Sequence, residues 1–202
     1  SPLFFDKLKP EVKWASPSSG VVTSIHFGAR RIIEKIEISV EDKIPESYKS
    51  FSSSELNAAD REAVMKNILD ACIFPLIRQR PFNKVANPND VPRDIFVSAY
   101  NTAPLSVNVS KVIQNNKDQF QAGLTALSKL TDGSVYLTSQ KPMEFDNVTN
   151  VTIEGPHPAG NVGIQIHHIK PINPGEVIWT VNAQHVITTV SYTHLRAHET
   201  IA

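Results

Sequence analysis

The segment Asp94-Ile95-Phe96-Val97-Ser98-Ala99-Tyr100 most narrows what this chain can fold into. It is a short apolar run, closed by a polar turn, and reads as a buried strand. A long helical stretch follows from Ser110 to Leu130, Asp132-Gly133 stops it, and Val135-Tyr136-Leu137 supplies a second short strand. A third candidate, Val151-Thr152-Ile153-Glu154, leads through Gly155-Pro156-His157-Pro158-Ala159-Gly160 into a short helix over Asn161 to His168. Strands alternating with helices predict a parallel α/β sheet.

Upstream, a helix is expected from Asn57 or Asp60 to about Cys72, with Val64, Ile68 and Cys72 on one face and Asp60 and Glu62 near its positive end; Pro75 ends or kinks it. Asp42 to Ser54, with Pro45 and five serines, has no sustained apolar period and reads as a linker. The first forty residues have the alternation of short antiparallel strands. Gly20 to Ile25 follows a Pro-Ser-Ser-Gly turn, and Ile32, Glu34, Ile36 and Ile38 share one side of the next strand, with Glu34 interrupting the apolar face. So few strands bury too little to stand alone, which makes the N-terminal piece incomplete. The last dozen residues, from Ser191, depart from the preceding pattern and resemble a translated adapter tail; residues 191–202 are set aside as non-native.

Lys plus Arg and Asp plus Glu are both 20, so no net field favours nucleic acid or an anionic lipid surface. Cys72 is the one cysteine and lies in an apolar stretch, which fits a reducing, cytoplasmic setting. No apolar run approaches the roughly 18 residues of a membrane span, and the start has no signal-peptide layout.

Four segments in order resemble the A subunit of the sodium-translocating NADH:quinone reductases. They are Leu3-Phe4-Phe5-Asp6-Lys7 with Ala15 to Val22; Arg78-Gln79-Arg80-Pro81-Phe82-Asn83-Lys84-Val85; Ile95 to Ala99 with Asn101 to Leu105; and Gly155 to Gly163 with Val177 to Gln184. The resemblance implies an internal fragment without that protein's N-terminus and C-terminal region. The implied fold is α/β: a partial barrel-sandwich hybrid over 1–41, a linker over 42–54 and a Rossmann-like domain over 55–190. The implied role is that of a peripheral subunit on the cytoplasmic face of the bacterial inner membrane, in a complex that oxidises NADH, reduces ubiquinone and exports sodium. NADH, FAD, FMN, riboflavin and iron centres would sit in partner subunits, membrane subunits among them. This chain would bind no cofactor and would serve assembly, with ubiquinone as a candidate ligand; the fragment alone would not be catalytic.

The chain's own residues set the candidate sites. Arg78, Arg80 and Lys84 surround Phe82 beyond a helix end, where cations complement the dipole or cap carbonyls; an aromatic beside such donors also suits a quinone head group. Gly155, His157, Gly160 and Gly163 precede a short helix, as an anion or ligand loop would, although two prolines make it a stiff turn first. A dinucleotide needs a glycine-rich turn after its strand, and Tyr100 to Leu105, with Pro104, is unlike one. His157, His167, His168, His185, His194 and His198 have no cysteine or second carboxylate at ligand spacing, so no metal site is assigned. One cysteine cannot hold an iron–sulfur cluster, no lysine stands at the tip of the Ser16 to Val22 turn for a biotinyl or lipoyl group, and no hydrolase signature is present.

Two other readings stay open. A nucleotide- and flavin-binding protein like the C subunit of the Rnf complex would carry a glycine-rich loop and clustered cysteines, absent here. A pure scaffold would bind partner subunits and no small molecule.

Overall fold

The computed structural model describes residues 2–41 and 51–193. Most of the expected linker, residues 42–50, and the set-aside tail from 194 onward, with His194 and His198, lie outside the described residues.

Two antiparallel hairpins open the chain. β1 (Pro2–Asp6) pairs with β2 (Lys9–Ala15), and β3 (Gly20–Phe27) with β4 (Ile33–Val40). The first is docked: Val12 is fully buried against the α/β core, Phe4 stacks on Trp14 at 5.1 Å, and Lys9 Nζ donates to the Ala86 carbonyl at 3.4 Å. The second is not. Val21, Val22, Ile25, Phe27 and Ile33 remain exposed, because a two-stranded ribbon has no second layer against which to bury them.

Next come α1 (Ser53–Ala58) and α2 (Arg61–Asp70). Each starts with a side-chain cap: Ser52 and Glu55 form a reciprocal capping box, and Asp60 accepts from the Ala63 amide at 2.8 Å. The expected single helix therefore begins earlier and in two pieces, and it stops before Cys72, which takes φ +57°. Cys72 is buried.

Six strands build the main sheet: β5 (Arg78–Arg80), β6 (Lys84–Val85), β7 (Asp94–Ser98), β8 (Val135–Ser139), β9 (Thr149–Thr152) and β10 (Ile178–Asn182), in the order β6-β5-β10-β7-β8-β9. The four strands from β10 to β9 are parallel, whereas β5 runs antiparallel to β10 and β6 to β5. The sheet is thus mixed rather than purely parallel, because a short turn joins β5 to β6 and leaves no crossover.

Among the described residues, four further helices complete the domain: α3 (Val109–Asn115), α4 (Lys117–Ser128), α5 (Val162–Ile169) and α6 (Ala183–Thr193). The long helix expected over 110–130 is broken at Asn116, with φ −134° and ψ +38°. The Asn116 side chain donates to the Val112 carbonyl at 2.9 Å, a local bond that competes with helix propagation.

Alternation along the strands sends Ile95, Val97, Trp179 and Val181 to one face, where α2, α4 and α6 enclose the main core with Val64, Ile68, Phe120, Leu124 and Val186. Phe96 and Ile178 point to the other face and pack on Ile166 of α5. One face is therefore covered by several helices and the other by α5, which leaves the β5 side of the second face open.

Candidate functional site

β7 and β10 are parallel neighbours, and the connections around them pass to opposite faces of the sheet: β7 leads into α3 on the main-core face, whereas α5, which precedes β10, covers the other face. Connections that part in this way leave a crevice at the carboxyl ends of the strands. A cleft of about 740 Å³ lies there, bounded by Ser98 and Tyr100 after β7, Asn182 and Gln184 after β10, and Gly163 of α5. Its size is that of small-molecule sites, roughly 300–1,000 Å³. Leu105 and Val107, both exposed, and Ile164 give it an apolar margin.

Hydrogen bonds between two loops shape one wall. Thr102 Oγ1 accepts from the Gly160 amide at 3.1 Å and lies 3.0 Å from His157 Nδ1, while the Tyr100 hydroxyl donates to the Gly155 carbonyl at 3.2 Å. Gly160 is required by proximity: a Cβ there would stand 2.3 Å from the Thr102 nitrogen. Below it Thr138 Oγ1 donates to Gln165 Oε1 at 2.7 Å and Gln165 Nε2 to the Ala159 carbonyl at 3.2 Å, which ties α5 to β8 and to the loop. Glycines 155, 160 and 163 thus do not play one common part. Gly155 and His157 brace the loop, and Gly163, where a Cβ would meet nothing within 4 Å, opens onto the cleft.

Arg80 enters the cleft from β5. Gln79 faces the main core, so Arg78 and Arg80 on either side of it face the side that α5 leaves open. Arg80 Nε is buried without a hydrogen-bond partner, and among the described residues the guanidinium has no carboxylate partner. Desolvation, and then the charge of Arg78, push its pKa down. Arg78 instead donates to the Asn83 carbonyl across the β5–β6 turn. Phe82 sits at that turn, 81% exposed, and Lys84 is exposed on the edge strand β6. The four residues read from sequence as one cluster are therefore divided: Arg80 lines the cleft together with Gly160 and Gly163, and Phe82 and Lys84 mark a hairpin tip. The Arg80–Pro81 and His157–Pro158 peptide bonds are both cis.

The turn after β7 does not fit a dinucleotide. Asn101 Oδ1 accepts from the Ala103 amide at 2.9 Å, Leu105 projects into solvent at φ +60°, and α3 starts from a capped Asn108 whose Oδ1 takes the Lys111 amide at 3.1 Å. Two amides at the approach to a pyrophosphate, those of Ala103 and Lys111, are thus already held by side chains, and the turn has no glycine to admit one. His167 and His168 lie edge to face on α5, with ring centroids 5.4 Å apart.

Ser98, Asn182, Gln184 and the apolar margin carry no motif. They meet because β10 inserts beside β7, a pairing that neither strand encodes locally.

A family model described as the NqrA second alpha/beta domain matches residues 59–192, and one described as the NqrA N-terminal barrel-sandwich hybrid domain matches residues 1–41. Among curated relatives, the A subunit of the Na(+)-translocating NADH-quinone reductase of Saccharophagus degradans is 37% identical over 190 residues, covering 92% of this chain and 42% of that protein. The protein of the same name from Alcanivorax borkumensis is 37% identical over 191 residues, covering 92% and 43%. That of Pasteurella multocida is 35% identical over 190 residues, again covering 92% and 43%. The chain spans less than half the length of these relatives.

Proposed function

The chain belongs to the NqrA family, the A subunits of Na(+)-translocating NADH-quinone reductases, and from that premise we propose that it is a peripheral part of such a sodium-pumping NADH:ubiquinone oxidoreductase. It contributes to assembly on the cytoplasmic face of the membrane, beside membrane subunits. NADH, the flavins and the iron centres are held by other subunits. The observation that carries this reading is the likeness to relatives of that name along 92% of the chain. In keeping with a peripheral place, no helix among the described residues is long and apolar enough to cross a membrane.

Phe82 gives assembly its most direct support. A phenyl ring 81% exposed at the β5–β6 turn, between Arg80 and Lys84, has the character of a contact residue rather than a core residue. A second reading, quinone association, rests on Arg80, a donor without a partner among the described residues and close in sequence to that ring. Quinone carbonyl oxygens accept hydrogen bonds that its guanidinium leaves unused.

The two readings separate in the complete complex. Phe82→Ala and Arg80→Ala would be introduced, the complex purified, and subunit retention and the KM for ubiquinone measured. Loss of the subunit from the complex supports assembly; a raised KM in an intact complex supports quinone association. Normal retention with a normal KM in both variants would remove this segment from either role.

A further inference from the structure

We infer that the cleft between α5 and the carboxyl ends of β7 and β10 is a binding site for an oxyanion, a phosphate or carboxylate group, with Arg80 as its countercharge. Three independent features meet there. The cavity of about 740 Å³ is large enough for a small molecule. Arg80 lines it with Nε buried and unpaired, and its charged neighbour is Arg78, so the folded protein holds positive charge at this point without compensation among the described residues. A buried donor left without an acceptor costs roughly as much as a lost hydrogen bond, and an anion in the cleft would remove that cost.

The third feature is the start of α5. Its N-cap residue, Asn161, makes no side-chain capping bond, and the Val162 and Gly163 amides have no acceptor among the described residues. The caps of α2 and α3, Asp60 and Asn108, hold only the third amide of each helix, so free first-turn amides are ordinary; those of α5 belong to Val162 and Gly163, which line the cleft that Arg80 enters. Gly163 leaves space above its Cα, so a ligand oxygen can approach the backbone. The margin of Leu105, Val107 and Ile164 would accept an apolar portion of the same ligand.

The oxyanion site does not depend on quinone association. A quinone is neutral, whereas oxyanion binding by one guanidinium and two amides weakens with salt.

The test uses the full-length protein. Inorganic phosphate and, separately, vesicles of phosphatidylglycerol with phosphatidylcholine vesicles as the reference are titrated in by calorimetry, with Arg80→Gln and Gly163→Asp alongside. Saturable phosphate binding is expected, weakened about tenfold or more by Arg80→Gln. Gly163→Asp sets a carboxylate into open space at the first turn of a helix, where it is favourable, so it should abolish binding without lowering the melting temperature. Binding confined to phosphatidylglycerol vesicles and lost in the same variants would identify the oxyanion as a lipid headgroup. No saturable binding of either probe, or binding that both variants leave unchanged, overturns the assignment. A quinone titration on the same samples tests the other reading separately.

Discussion

Gln79 and Trp179 stand directly opposite each other across β5 and β10, and Gln79 Oε1 and Trp179 Nε1 are both buried without a hydrogen-bond partner. An acceptor and a donor thus lie unsatisfied on the same side of one rung. Gln79→Met keeps the volume and removes the buried carbonyl, so it should raise stability by about 1 kcal/mol in urea unfolding. A loss of that size would show that the amide is satisfied in solution.

Gly160 against Thr102 gives a steric prediction. Gly160→Ala places a methyl 2.3 Å from backbone that cannot swing away, and a cost of about 1–3 kcal/mol is expected. Thr102→Val should cost less, since it removes the acceptor for the Gly160 amide but displaces no backbone. Thermal unfolding of the two variants gives the order.

Asp94, fully buried at the start of β7, sets an acid limit. Burial alone would raise its pKa; Lys170, the Ser134 amide and Arg93 outweigh that and hold it below the ordinary 3.8. Since the folded value is depressed, the stabilisation is full above about pH 4 and is lost as pH falls through the lower folded value. Asp94→Asn should destabilise at neutral pH by about 3 kcal/mol, because Lys170 and Arg93 lose a buried partner, and should flatten the acid limb of a stability–pH curve.

His185 adds a milder step above that one. Desolvation in α6 lowers its pKa below 6.5, so protonation favours the unfolded chain and stability should decline as pH drops from about 6.5 through the folded value. His185→Gln should remove this step and leave the Asp94 step, as read by denaturant midpoints followed from pH 7 down to about pH 2.

Phe82→Ala should leave the melting temperature of the isolated protein within about 1 °C, because an exposed ring contributes little to the folded state. A drop of several degrees would mean that the ring is covered within the fold, and would weaken its assignment as a contact residue.

β7, β8 and α5 were legible because short apolar runs bounded by turns and a glycine-led helix start are local signals. β5 was not, since Arg78-Gln79-Arg80 offers three polar residues and forms a strand by pairing with β10, roughly a hundred residues away. The helix break at Asn116 was also hidden, because the apolar period runs on through it and the competing bond to Val112 is visible only in three dimensions. Arg80, Gly160 and Gly163 stood out in sequence as members of two separate clusters. That they line one cleft follows from strand order, which no spacing records.

β10 is the last of the six strands to be synthesised, yet it lies third from one edge, between β5 and β7. On the ribosome, β7, β8 and β9 can associate as they emerge, but β5 and β6 have no route into the sheet until Ile178–Asn182 has left the exit tunnel. Until then the β7 edge stays open and could accept a strand from another nascent chain. The strand order thus places the hazard of mispairing in the interval between the emergence of β9 and that of β10.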